Sequence, residues 1–204
     1  MAKAGHRLTS LLTRAEINTT ISTLRAGSNR KAESSIRRMF GWNMLIPAEM
    51  KAGKTGRNFI WLSDNRPDRM RNICVYSYGG TTLDAHRALA ARDSVMGLNI
   101  PGELDGMYMQ TTPGSVTAGL ATEDGRTMMI SRGLWEMRND AMGGPFVSYS
   151  VVDSANSRII VAEAFVYAPG TNKRNLIRSA EAALYTLGRH AANGSNSKGR
   201  RQPD

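Results

Sequence analysis

The side chain most able to do chemistry lies in "RIIVAEAFVYAP", residues 158–169. Strand alternation there puts Ile159, Val161, Glu163, Phe165 and Tyr167 on one face. Glu163 is a carboxylate on an otherwise apolar row. Burying it unpaired would cost several kcal/mol or force its pKa upward, so it needs a partner, and Arg132 and Arg174 are candidates. Two readings follow. Glu163 forms an internal salt bridge that fixes strand register, or it floors a small ligand-binding pocket with Arg132 and Trp135. A β-bulge in the strand would instead expose it.

Other chemistry-bearing residues carry less. "AGKTGRN" ends like a phosphate-binding loop, but position 48 is Ala where that fingerprint needs Gly, and a strand rather than a helix follows. A glycine hinge with solvated lysines accounts for it. Cys74, the single cysteine, sits mid-strand among apolar and aromatic residues and reads as a buried structural thiol. His6, His86 and His190 lie far apart and make no zinc pattern. No cofactor fingerprint, catalytic triad order or paired carboxylates stand out. The chain is rich in methionine. Met107, Met109, Met128, Met129, Met137 and Met142 cluster in its second half, as core filling or as an adaptable binding surface.

"WEMRNDAMGGPFVSYS", residues 135–150, must reverse the chain between two strands. Gly143 or Gly144 can take positive φ, Pro145 pushes Gly144 into an extended conformation, and Asn139-Asp140 gives a second turn signal. Trp135, Met142 and Phe146 are left to fold over the sheet edge. The expectation is a structural hairpin with an aromatic lid rather than a ligand loop.

The elements that must position these residues are legible from periodicity. Leu8, Leu11, Leu12, Ala15, Ile21 and Leu24 make a helical stripe over 8–25, and a short helix from Arg30 to Phe40 ends at Gly41. "WNMLIP", "FIWLS" and "NICVYSY" are strands, the last with Ile73 and Val75 on one face and Cys74, Tyr76 and Tyr78 on the other. "AEMKAGKTGRN" is a polar loop. Thr81 and Asp84 have capping-box spacing before a helix over 82–96. An antiparallel meander follows through residues 107–167. Leu176, Ile177, Ala180, Ala183, Leu184 and Leu187 then line one face of a closing helix over 172–187, capped by Asn172 and ended by Gly188.

The net charge of +10 sits on the ends: +6 over 1–40 (eight Lys/Arg, two acids), +3 over 189–204 (four and one) and +1 between (fifteen and fourteen). Basic ends bind polyanions loosely by counterion release but do not make a reading surface, so no specific nucleic-acid binding is expected. No apolar run reaches the roughly 18–20 residues of a transmembrane segment. The start has no long apolar stretch and makes a poor secretory signal.

With "RDSVMGLNIPGE", "YMQTT", "RGLWEMRNDAMGGPFVS" and "EAFVYAPGTNKRN" in view, the chain resembles the domain-of-unknown-function family 4837 from about Phe40 to Leu187. Its members are uncharacterised bacterial proteins, mostly predicted envelope lipoproteins. The resemblance implies the periplasm or outer membrane and an envelope protein partner, and brings no activity or cofactor. Without a signal peptide, the chain as written is expected in the cytoplasm, or is truncated at its N-terminus. The element order is also similar to the PsbP/Mog1-like α-β-α sandwich.

The expectation is an α+β fold, a mostly antiparallel twisted sheet of five to seven strands covered by helices. Residues 1–40 form an N-terminal helical segment, 41–188 the α+β domain and 189–204 a disordered basic tail. The leading functional expectation is a non-enzymatic binding or assembly module of the bacterial cell envelope. The alternative is a small-ligand-binding protein or enzyme with a site around Glu163, Arg132 and Trp135.

Overall fold

The computed structural model describes residues 15–123 and 125–189. The fold is α+β. Eight antiparallel strands form one open sheet: β2 (Ala52–Gly56), β3 (Phe59–Ser63), β4 (Met70–Gly79), β5 (Met109–Thr111), β6 (Thr117–Glu123), β7 (Arg126–Met137), β8 (Gly143–Asp153) and β9 (Arg158–Tyr167). They lie in the order β2-β3-β4-β9-β8-β7-β5, with β6 also paired to β7. Strand β9 is central, flanked by β4 and β8. It is buried on both faces, which is why it reads as a nearly continuous apolar run.

Because side chains alternate, the two faces carry separate cores. Ile73 and Val75 of β4 join Val147, Tyr149 and Val151 of β8 and Ile160, Ala162 and Ala164 of β9. Helices α2 (Arg30–Phe40) and α4 (Arg174–Leu184) close this face with Ile36, Phe40, Ala180, Ala183 and Leu184. Cys74 and Tyr76 turn the other way with Phe146, Val161 and Phe165, under Met96 of α3 (Ala85–Asn99). An additional helix, α1, runs over residues 15–26 and buries Ile17 and Leu24. Leu8, Leu11 and Leu12 of the expected first stripe lie outside the described residues. So does the expected basic tail, apart from Arg189.

Caps follow local chemistry. Asn29 caps α2, its Oδ1 accepting from Ala32 N at 3.1 Å, and Gly41 ends it in the left-handed region at φ 70°. Helix α3 starts later than its capping-box spacing suggests. Asp84 itself is the N-cap, accepting from Arg87 N at 2.7 Å, and Gly97 does not stop the helix before Asn99. Helix α4 is shorter than expected. Asn172 does accept from Arg174 N, at 3.1 Å, but the helix ends at Leu184, and Gly188 belongs to the two-residue strand β10 (Gly188–Arg189) paired with β1 (Trp42–Asn43). Leu187 is buried even so.

Two expectations are corrected. Residues 52–56 are not a loop. They form edge strand β2, in register with β3 from Ala52 opposite Ser63 to Gly56 opposite Phe59, with Asn58 at positive φ in the turn. A Cβ on Gly53 would stand 2.4 Å from Trp61 O, so the glycine permits pairing rather than a hinge. Secondly, Gly143-Gly144-Pro145 is not the β7–β8 turn. Residues 138–142 reverse the chain with Asn139 at φ 61°, and the three residues already belong to β8. The glycines are needed for close approach. A Cβ would come within 2.8 Å of Trp135 O at Gly143 and 2.0 Å of Val166 O at Gly144. Pro145, which has no N–H to give, precedes the first β8–β9 pair, Phe146 with Phe165.

Gly144→Ala should destabilise the fold by about 1–3 kcal/mol, because rigid backbone faces the added carbon. Gly119→Ala, in β6 with nothing within 4 Å of its Cβ, should be neutral or slightly stabilising. Thermal melting of both variants checks this: equal melting temperatures would refute the close-approach account.

Candidate functional site

Glu163 is 0% exposed at the centre of β9, beneath α3, and its partner is Arg92 at 2%. Arg92 Nε donates to both carboxylate oxygens at 3.1 and 3.0 Å, and Nη2 donates to Oε1 at 2.8 Å. Tyr76 bonds the same carboxylate. Arg92 Nη1 donates to Thr111 Oγ1 at 2.7 Å, and Thr111 Oγ1 donates on to Asp93 Oδ1 at 2.6 Å. The guanidinium carbon lies 3.8 Å from the centre of the Phe146 ring. A chain of charge-assisted bonds therefore links the middle of the sheet, through α3, to partly exposed Asp93. Burial pushes the Glu163 carboxyl above its usual range, and the Arg92 guanidinium pulls it only part of the way back.

Of the three expected site residues, only two share a face. Arg132 and Trp135 are three apart on β7, so their side chains leave opposite sides of the sheet. Arg132 reaches α4, where Nη1 donates to Glu181 Oε2 at 3.1 Å and Nη2 donates to Oε1. Tyr149 Oη donates to the same Glu181 at 2.8 Å. Arg174, the other expected partner of Glu163, lies on exposed α4 surface. Arg132, Trp135 and Glu163 thus do not surround one pocket, and the open Glu163 that such a site requires is not found. Glu163 instead has the salt-bridge role that fixes α3 on the sheet.

Trp135 does line a cavity. About 240 Å³ lies at the far end of the α3 face, where β4 begins and β9 ends. Trp61, Trp135, Phe165 and Tyr167 supply its aromatic wall, and Met70, Met137, Met142 and Ile100 supply aliphatic and thioether surface. Asn72 also lines it, at 0% exposure. Its Oδ1 accepts from Trp61 Nε1 at 2.9 Å, while Nδ2 has no hydrogen-bond partner among the described residues. Trp135 Nε1 donates to Val166 O at 3.2 Å, and its ring meets Phe165 edge-on at 5.4 Å. The β7–β8 hairpin that brings Trp135, Met137, Asp140 and Met142 is therefore both a structural reversal and one wall of a cavity.

Elsewhere the reactive groups are committed. A wider depression of about 800 Å³ runs past Gln110, Thr112, Glu136 and Lys173. Glu136 there accepts from Gln110 Nε2 and Thr112 Oγ1, each at 2.8 Å, and these bonds hold its carboxyl below the usual range. Cys74 is buried opposite Glu163 in the β4–β9 register, and burial, then the Glu163 charge, push its thiol up. It is a structural thiol. Among the described residues, no group of three or more His, Cys, Asp or Glu could hold a metal ion, and no helix is long and apolar enough to cross a membrane.

Arg92→Leu should cost about 3–5 kcal/mol by stranding a buried carboxylate, whereas Arg92→Leu with Glu163→Leu should recover most of that. Without Arg92 the Glu163 pKa rises further above its unfolded value. Stability from the bound proton is then present at low pH and lost as pH climbs through the folded pKa, so the single variant's deficit should grow between about pH 5 and about pH 8. Urea melts at the two pH values check both the size and the sign.

No curated protein matches the chain. The family model described as Domain of unknown function (DUF4837) matches residues 29–186, from the cap of α2 to just past the end of α4. That span takes in the α3-face core, all of the opposite core but Leu24 and Leu187, the Arg92–Glu163 pair and the whole aromatic cavity, and the chain belongs to this family.

Proposed function

We propose that the protein is a non-enzymatic binding module whose recognition site is the aromatic cavity between Ile100, Phe165 and the β7–β8 hairpin. The observation that carries this reading is an apolar hollow walled by four aromatic rings and three methionines. At about 30 Å³ per molecule, 240 Å³ is room for about eight waters, yet water needs two to four polar partners and this lining offers few. Cavities of roughly 150 Å³ already take a benzene-sized guest. The reading also accounts for the titratable groups. Glu163 is sealed and spent on Arg92, Glu136 is spent on two donors, and Cys74 is sealed.

The test uses the methionines as reporters. With methyl-labelled methionine and benzyl alcohol as probe, shifts should be confined to Met70, Met137 and Met142, with Met39 and Met44 unmoved. Absent or dispersed shifts would refute binding at this cavity, and turnover of any substrate would refute the non-enzymatic reading.

A setting in the bacterial cell envelope is part of the proposal, with an envelope protein or envelope solute as partner. It is supported by the resemblance to envelope lipoproteins. Fractionation of the source cells should recover the protein with the envelope, and recovery in the cytosol alone would refute the setting.

A further inference from the structure

The cavity's charge is opposite to that of the chain that builds it. The protein has 27 Lys and Arg against 17 Asp and Glu. The cavity lining has two carboxylates, Glu103 and Asp140, and no Lys or Arg. Both carboxylates are exposed at the rim, and among the described residues neither has an ion-pair partner. Behind them stand Trp61, Trp135, Phe165 and Tyr167. Both indole N–H groups are spent on protein acceptors, Asn72 Oδ1 and Val166 O, so the indoles offer a guest only carbon and π surface. The polarizable sulfurs of Met70, Met137 and Met142 complete the wall.

This combination suits one ligand class. A neutral hydrocarbon would use the wall but not the rim. An anion would be repelled by the rim and find no cation. A strongly hydrated metal ion would lose its water against aromatic carbon. A diffuse organic cation satisfies both parts: its methyl groups pack on the rings, its charge is drawn to the π faces and the carboxylates, and it carries no N–H that needs an acceptor. We infer that the cavity takes a small soluble quaternary ammonium compound. The inference rests on the binding reading above and adds the charge and class of the guest.

Choline and its uncharged carbon isostere, 3,3-dimethyl-1-butanol, test it on the full chain, again through the methionine methyl signals. Choline should shift Met70, Met137 and Met142 and bind at least five-fold tighter than the isostere, with affinity falling as salt is raised. Glu103→Gln with Asp140→Asn should weaken choline about five-fold, the worth of one contact charge pair in water, and leave the isostere unchanged. Both rim residues are exposed, and an unaltered melting temperature confirms that the fold is intact. Equal affinity for choline and isostere overturns the cation assignment while leaving a binding cavity in place. No shift with choline, isostere or benzyl alcohol overturns the binding reading as well. Retention on phosphatidylcholine vesicles without a response to free choline overturns the soluble-guest form.

Discussion

The structure turns on one pair of opposite charges held out of water. Helix α3 has little apolar surface to offer the sheet, since Arg92 occupies the place in its inward stripe where Leu89 and Met96 lead one to expect another hydrophobe. What holds it is directional. Three contacts from one guanidinium to Glu163 specify both the helix's rotation and its position along β9. Such a pair contributes less net stability than well-packed hydrocarbon would, because both ions must be dehydrated. It gives a single seating instead, and the seating carries on into residues 100–103, which follow α3 directly and form the cavity's upper wall. The wall's geometry is thus inherited from an ion pair in the strand beneath.

The opposite face is built differently. There α2 and α4 bury Ile36, Phe40, Ala180, Ala183 and Leu184 on the aliphatic row of β4, β8 and β9. Its buried carboxylates are each held: Glu181 is clamped between Arg132 and Tyr149, and Glu33 of α2 accepts from Ile46 N at 3.2 Å. One face therefore seals, and the other carries a buried charge pair and a hollow.

Much of the fold is legible in the sequence because the period-3.6 pattern is strong in α2 and α4 and because β4 and β9 are apolar runs bounded by turn residues. The strand alternation that sends Ile73 and Val75 one way and Cys74 and Tyr76 the other is found as read. Edge strand β2 is hidden because "AGKTG" carries no apolar alternation: an exposed edge needs none, and an exposed lysine there discourages further pairing. The glycines before Pro145 look like turn chemistry, yet act by letting backbones approach, which depends on strands far away in sequence. Glu163 is legible as a buried carboxylate needing a partner. Arg92 is not, because it lies 71 positions away, and only its interruption of a helical stripe hints at it. The cavity is legible only in fragments. Trp135, Met137 and Met142 attract notice, but Trp61, Asn72 and Tyr167 reach the same hollow from other strands, and nothing in sequence spacing joins them.

The short β1–β10 ladder has a consequence for presentation. It fixes the last described residues beside Trp42, while Arg126 at the start of β7 donates to Leu187 O and Arg158 at the start of β9 donates to Phe40 O. The hollow lies at the finish of those same two strands, and ten residues of extended chain separate the ends of β9 by roughly 30 Å. Held from the β10 side, the molecule would face its surroundings mouth outward.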